Sequence, residues 1–141
     1  MKGRLALVIA LLAFTGLLFS SMAESKGEKG DYVRIIYFHG DYRCATCNKL
    51  EELSKMTVDQ YFSEELKSGK VEFDIINYDK KENEHYVDDF QLFNQSLIVI
   101  KYKDGKQKEW KNCKKIWQLV RKDDKSLDDV KKAVNEYLKD I

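Results

Sequence analysis

The chain of 141 residues contains no proline; at an average usage of about 5%, roughly seven would be expected. Two explanations compete. One is compositional drift in a chain rich in Lys and Asn. The other is that positions which commonly hold proline in the fold are filled here by other residues. Cysteine is also scarce, with three in all, too few to staple a small scaffold, so a hydrophobic core has to stabilise it. Net charge is nearly absent: 25 basic residues oppose 24 acidic ones, a formal +1. That balance carries no electrostatic footprint for nucleic acid, and no nucleic-acid partner is expected. Internal repeats and low-complexity tracts are missing too. What is present is 35% charged and 43% hydrophobic residues, with seven Phe, eight Tyr and two Trp. Such a chain is too aromatic and too balanced for disorder, and its length suits one domain.

The first 23 residues read separately. Lys2 and Arg4 form a short positive start, Leu5 to Leu18 is an uncharged, mostly apolar run, and Ser21-Met22-Ala23 offers small residues for cleavage. Residues 1–23 are expected to be a secretory signal, or an uncleaved anchor, since Leu5 to Ala23 could just span a bilayer. With Lys2 and Arg4 held inside, either reading exports the rest of the chain, to a periplasmic or extracellular location. No Cys lies near the cleavage site, which argues against a lipoprotein anchor. Losing Lys2 and Arg4 leaves 23 basic against 24 acidic residues, a charge of −1. Residues 24–31 are a polar linker, and 32–141 form the domain, expected as a monomer.

Along the domain, Tyr32 to Phe38 reads as a buried strand, rich in β-branched and aromatic residues. Cys47, Leu50, Leu53 and Met56 come next at helical spacing. A second helical piece is expected from Thr57, where Thr57 and Gln60 form a capping-box pattern, and Ser68-Gly69 ends it. Val71 to Asn77 is a second strand. Glu82 to Phe93 predicts a helix presenting Tyr86, Phe90 and Phe93 on one side. Ser96 to Tyr102 is a third strand, Asp104-Gly105 a hairpin turn, and Gln107 to Lys111 a fourth strand. Ile116 to Val120 predicts a short helix. Ser126 is placed as the cap of a last helix striped by Leu127, Val130, Val134, Tyr137 and Leu138. The order β-α-β-α-β-β-α implies parallel pairing across the crossovers and an antiparallel hairpin.

Cys44-Ala45-Thr46-Cys47 falls between the first strand and the first helix. A cysteine there sits over unpaired backbone N–H groups and the positive end of the helix dipole. Those favour thiolate over thiol, and each pKa unit of lowering is worth about 1.4 kcal/mol. Arg43 could add to this. Cys47, nearly one turn on, is placed as the more buried resolving thiol. Three chemistries fit the pair: dithiol–disulfide exchange, metal binding, and an inert structural disulfide.

With Tyr37-Phe38-His39-Gly40-Asp41-Tyr42-Arg43 leading into this motif, and with that element order, the sequence resembles the thioredoxin-like superfamily over roughly Tyr32 to Leu138. It is also similar to small exported thioredoxin-like proteins encoded in bacteria and archaea beside arsenic-resistance or other small permeases. The resemblance implies an α/β, three-layer fold with a central mixed four-stranded sheet flanked by helices. It implies a redox-active Cys44/Cys47 pair that needs no further cofactor, and a membrane thiol carrier or permease supplying electrons. Substrates would be protein or small-thiol disulfides. The chain departs from that pattern as well. Ala45-Thr46 replaces Gly-Pro, Arg43 replaces Trp, and the acid of the first strand is missing. The cis-proline that normally precedes the third strand in the substrate groove falls here at Gln95-Ser96. A cis bond without proline costs about 2.5–4 kcal/mol, so a trans bond is expected there, with a Met56-Thr57 break replacing the usual proline kink.

Other residues keep alternative readings. His39, five residues before Cys44, is either a thiolate stabiliser and proton shuttle or a packing residue at a strand end. Asp41 either relays protons, shapes the loop with Tyr42 or, like Tyr42, contacts substrate, and Thr46 is a candidate modulator within the motif. His85 reads as solvated. Trp110 and Trp117 read as core or groove lining. Cys113 is either a buried small hydrophobe or a third sulfur that, with Cys44, Cys47 and His39, could hold Cu(I), zinc or arsenite. The function expected first is an exported thiol–disulfide oxidoreductase, more a reductant or isomerase than a primary oxidant. The alternatives are a soft-metal or metalloid binding module and a non-catalytic interaction domain.

Overall fold

The computed structural model describes residues 30–120 and 123–141. The expected export segment 1–23 and residues 24–29 of the linker lie outside the described residues, as do the side chains of Ser126 and Leu127. Four strands form one sheet: β1 (Tyr32–His39), β2 (Val71–Asn77), β3 (Ser96–Lys103) and β4 (Lys106–Asn112). Helices are α1 (Ala45–Tyr61), α2 (Ser63–Ser68), α3 (His85–Asp89), α4 (Ile116–Leu119) and α5 (Asp123–Leu138). The strand order is β2-β1-β3-β4, with β1 and β2 parallel and both other pairs antiparallel. Among the described residues no helix is long and apolar enough to cross a membrane.

Alternation along the central strands builds a core on each face. Val33, Ile35 and Tyr37 of β1 and Leu97 and Val99 of β3 face α1 and α5, meeting Leu50, Val58, Val130, Ala133 and Val134. Ile36, Phe38, Ile98 and Ile100 face the other way, against Phe90 and Leu92. Two buried faces explain why these strands read as continuous apolar runs rather than as alternating ones. Lys101 is the exception. Its ammonium is bracketed by Glu109 and Asp140 at 3.1 Å each, which ties the residues after α5 to the sheet. The β3–β4 hairpin turns at Asp104 and Gly105, both with positive φ (52° and 67°). This twist matches that of the flanking strands.

Three expectations need correction. The first helix does not break at Met56-Thr57; α1 runs on to Tyr61 and the interruption comes at Phe62. Ser54 and Thr57 donate their hydroxyls to the carbonyls of Leu50 and Leu53, 2.6 and 2.7 Å away. Hydroxyls bonded back into the helix need no cap, so the Thr57–Gln60 pattern is idle. The long helix over 82–93 shrinks to a 3₁₀ turn (Lys81–Asn83) and the short α3. Gln91 takes a left-handed φ of 50°, with Leu92 N–H donating to Val87 and Gln91 N–H to Asp88. These bonds form a complete Schellman stop, with Leu92 tucked into the core. Phe93, beyond it, points outward at 94% exposure instead of joining Tyr86 and Phe90. Finally, α5 begins at Asp123, so Ser126 lies inside that helix and is not its cap.

Candidate active site

The site forms where β1 hands over to α1. Gly40 approaches the β2 end so closely that a Cβ would sit 2.7 Å from Asp79 Oδ2. That carboxylate accepts the Asp41 N–H at 2.7 Å. Asp41 in turn accepts from Asn77 Nδ2 at 2.7 Å and from Lys80 Nζ at 3.2 Å. The Asn77 bond first, and then Lys80, hold the Asp41 carboxyl below its usual range. Asp41 is thus an exposed part of a polar clamp that fixes residues 40–43, not an inward-facing acid. His39 Nδ1 lies 2.8 Å from the Gly40 carbonyl, which can only accept, so the proton sits on Nδ1. The hydrogen bond His39 makes is therefore to the loop rather than to a cysteine.

Cys44 is the N-cap of α1, and its extended backbone (φ −85°, ψ 162°) turns the chain into the helix. Its Sγ accepts the Cys47 N–H at 3.1 Å, as a Ser or Asp oxygen does at other helix starts. Cys44 and Cys47 are joined as a disulfide. Cys44 is half-buried, and Cys47 is buried at 2% exposure. Ala45 and Thr46 between them are exposed. Below the pair, Tyr37 donates its hydroxyl to the Cys47 carbonyl at 2.8 Å. Burial, and next the charge of Glu51, push the Tyr37 phenol up to about 12, so it stays a donor. Arg43 forms an ion pair with Glu51.

The loop before β3 closes the other side. Gln95 Nε2 donates to the Tyr42 carbonyl at 3.2 Å, and Trp117 Nε1 donates to the Gln95 carbonyl at 2.9 Å. Ser96 is buried and pairs with Phe38 of β1, and the Gln95–Ser96 bond is trans. A groove of about 320 Å³ opens beside this loop, lined by Phe93, Ser96, Asn112, Lys114 and Trp117 among others. Tyr42 is 80% exposed on the neighbouring loop.

A parallel β1–β2 pair, an antiparallel β3–β4 hairpin on the other side of β1, and a disulfide capping the helix after β1 together decide the fold. The fold is thioredoxin-like. No protein-family model matches the chain, and no curated protein matches it in sequence. Solved structures that resemble it include one titled a malarial protein, with 17% identity and TM-score 0.40, covering 64% of this chain and 96% of that one. A thioredoxin of Fasciola hepatica has 16% identity and TM-score 0.40, covering 67% and 84%. Thioredoxin f2 of Chlamydomonas reinhardtii has 14% identity and TM-score 0.36, covering 69% and 83%.

On this thioredoxin-like frame the three sulfurs do not gather. Cys113 lies in the core facing α1 and α5, with its N–H on the Leu97 carbonyl at 2.9 Å. Burial pushes its thiol up to about 11, so it is a neutral thiol at neutral pH. Among the described residues no group of three or more His, Cys, Asp and Glu side chains could hold a metal. The expected alternative of Cys44, Cys47 and Cys113, with or without His39, is corrected accordingly: the fourth strand delivers Cys113 inward, into apolar packing. Two residues near the disulfide carry little signal in the sequence. Glu51 lies four residues after Cys47, a spacing that puts both on one helix face. Tyr37 read as plain strand core, and nothing in its context marks the reach of its hydroxyl.

Proposed function

We propose that this protein is a thiol–disulfide oxidoreductase acting by dithiol–disulfide exchange at Cys44 and Cys47, as a reductant or isomerase rather than a primary oxidant. The observation that carries the reading is the disulfide at the start of α1, with Cys44 Sγ receiving the Cys47 N–H. The same N–H and the helix dipole favour a thiolate on Cys44 once the pair is reduced. The half-exposed Cys44 thiolate attacks a substrate disulfide. A mixed disulfide forms, and one substrate sulfur leaves as a thiolate and takes a proton. Buried Cys47 loses its proton and attacks Cys44; the mixed disulfide breaks, the substrate leaves reduced by two electrons, and the Cys44–Cys47 bond is restored. An external dithiol returns the two electrons. The leader-like residues 1–23 support an exported location, where a membrane thiol carrier is the fitting donor.

The test is insulin-disulfide reduction with dithiothreitol as donor. Wild-type protein should accelerate it. Cys47→Ser should instead accumulate a mixed disulfide with the substrate at close to one equivalent, visible by non-reducing electrophoresis. A wild-type rate equal to dithiothreitol alone would falsify the reading.

Polypeptide substrates fit the surroundings better than small disulfides. Phe93 is exposed where it lines the groove beside the 95–96 loop, and Tyr42 is exposed on the loop before Cys44 that Gln95 binds; large uncovered aromatics of this kind supply apolar contact. Phe93→Ala should raise KM about tenfold, roughly 1.4 kcal/mol, for a disulfide peptide with an apolar residue beside its cysteine, while kcat changes little. The comparison of kcat/KM for that peptide with that for oxidised glutathione checks this, and an unmoved ratio would remove Phe93 from the binding surface.

A further inference from the structure

One atom in the site is left unexplained by packing. Arg43 Nε is buried and, among the described residues, has no hydrogen-bond partner, although the same guanidinium pairs through Nη2 with Glu51. A buried donor left unpaired is costly, and at a redox site it points to a partner that another oxidation state supplies.

The helix geometry says where that partner is. Counted from the N-cap of α1, Cys44, Cys47 and Glu51 stand at i, i+3 and i+7, on one face. Arg43 immediately precedes Cys44, yet its guanidinium reaches Glu51, one turn beyond Cys47. The Arg43 side chain therefore runs along the helix face that carries both cysteines. Tyr37, whose hydroxyl sits on the Cys47 carbonyl, feels the charges of both Glu51 and Arg43.

We propose that Arg43, held in place by Glu51, donates its Nε–H to the thiolate formed on Cys44 when the disulfide is reduced, and so poises this couple as an isomerase rather than a strong reductant. The proposal rests on the dithiol–disulfide reading above and names its direction. In the disulfide both sulfurs are neutral and accept weakly. A donor dithiol breaks the S–S bond with two electrons, itself becoming a disulfide. Cys47 ends as a thiol, Cys44 releases its proton to solvent, and the resulting anion is a strong acceptor for the waiting N–H. Stabilising the anion favours the reduced pair and raises the potential. The titratable groups of the adjoining strand and loop have bonds of their own. On β1, His39 is tied to Gly40, and Tyr37 is held as a neutral donor. In the loop, Asp41 is tied to Asn77 and Lys80. The segment before β3 contributes the uncharged Gln95 and Ser96.

Two readouts test this without any turnover: thiolate absorbance of the reduced protein against pH, and the disulfide equilibrium with glutathione. Arg43→Met should lower the thiolate fraction on the rising limb about tenfold. It should also shift the glutathione equilibrium about tenfold toward the disulfide, about 30 mV. Arg43→Lys keeps the charge but not the planar N–H, so it should recover only part of both effects. Glu51→Ala should move in the same direction as Arg43→Met, because it releases the arginine; loss of an anion acting through charge alone would move it the opposite way. An unmoved titration in Arg43→Met, full recovery in Arg43→Lys, or the opposite sign in Glu51→Ala overturns the proposal. Should Arg43→Met fail to fold, the Arg43→Lys and Glu51→Ala titrations decide. A wild-type protein that turns over no disulfide sinks the oxidoreductase reading, and these titrations still answer this one.

Discussion

Cys44→Ser is expected to abolish disulfide turnover, down to the uncatalysed background, while leaving the fold intact. Serine is among the best N-cap residues, so its hydroxyl takes over the Cys47 N–H that Cys44 Sγ accepts at 3.1 Å. The helix start is therefore kept, and the loss reports chemistry alone. A hydroxyl stays protonated at neutral pH and is a weak nucleophile at its free pKa, and the bonds of His39 Nδ1 and Asp41 run to Gly40 and Asn77 rather than to Cys44. Exchange requires a thiolate. Cys113→Ala is the matched control. That thiol is buried in the core and pushed up to about 11, so its removal should leave the rate within about twofold. Insulin reduction with dithiothreitol checks both variants. Turnover that survives in Cys44→Ser, or disappears in Cys113→Ala, would mean that the nucleophile has been misplaced.

The second large effect is on stability. Phe38→Ala should cost about 3–5 kcal/mol, the usual range for a fully buried phenylalanine. Phe38 has no exposed surface and packs against Tyr86 and Phe90, with ring centroids 5.1 and 5.6 Å away. The layer on that face is thin: α3 has five residues and is pinned by a Schellman stop. Elements locked in that way close only part of a cavity, which keeps the cost high. A loss of this size is a large share of a typical domain stability and should lower Tm by roughly 10–20 °C. Phe93→Ala, by contrast, should stay within about 0.5 kcal/mol of wild type, since 94% of that side chain is exposed. Urea unfolding followed by Trp fluorescence measures both, because Trp110 stands edge-on to Phe90 at 5.5 Å and senses the same cluster. Equal midpoints for the two variants would refute the two-face division of the core.

The contrast between these phenylalanines shows how far the sequence can be read. Phe38 sits in a continuous run of β-branched and aromatic residues, the mark of a strand buried on both faces. Phe93 also fell on an apolar period, with Tyr86 and Phe90, but the left-handed turn at Gln91 rotates it out to solvent. Glutamine is a weak predictor of positive φ, so nothing local announces that stop. The Thr57–Gln60 box failed for a related reason: a hydroxyl that can cap can equally bond back into its own helix, and burial of Thr57 favoured the second. The missing prolines had more to say. They singled out Gln95-Ser96, and that loop does carry its own arrangement, with Gln95 bridging Tyr42 and Trp117.

The sequence by itself determined the element order, the buried central strands, the hairpin at Asp104-Gly105 and the place of Cys44 and Cys47 at a helix start. Each of these depends on residues near one another in the chain, where periodicity and turn chemistry operate. The tertiary structure alone decided that Cys113 turns into the core, that Asp41 is spent on a clamp with β2, and that Arg43 meets Glu51 alongside the disulfide. The clamp and the burial of Cys113 join residues far apart in the chain, and a strand-end twist or a helix phase sets which of two faces each side chain takes. The Arg43–Glu51 contact is closer in sequence, but it depends on the side chain of a residue before the helix folding back along it. Local pattern supplies the period; only packing chooses the phase.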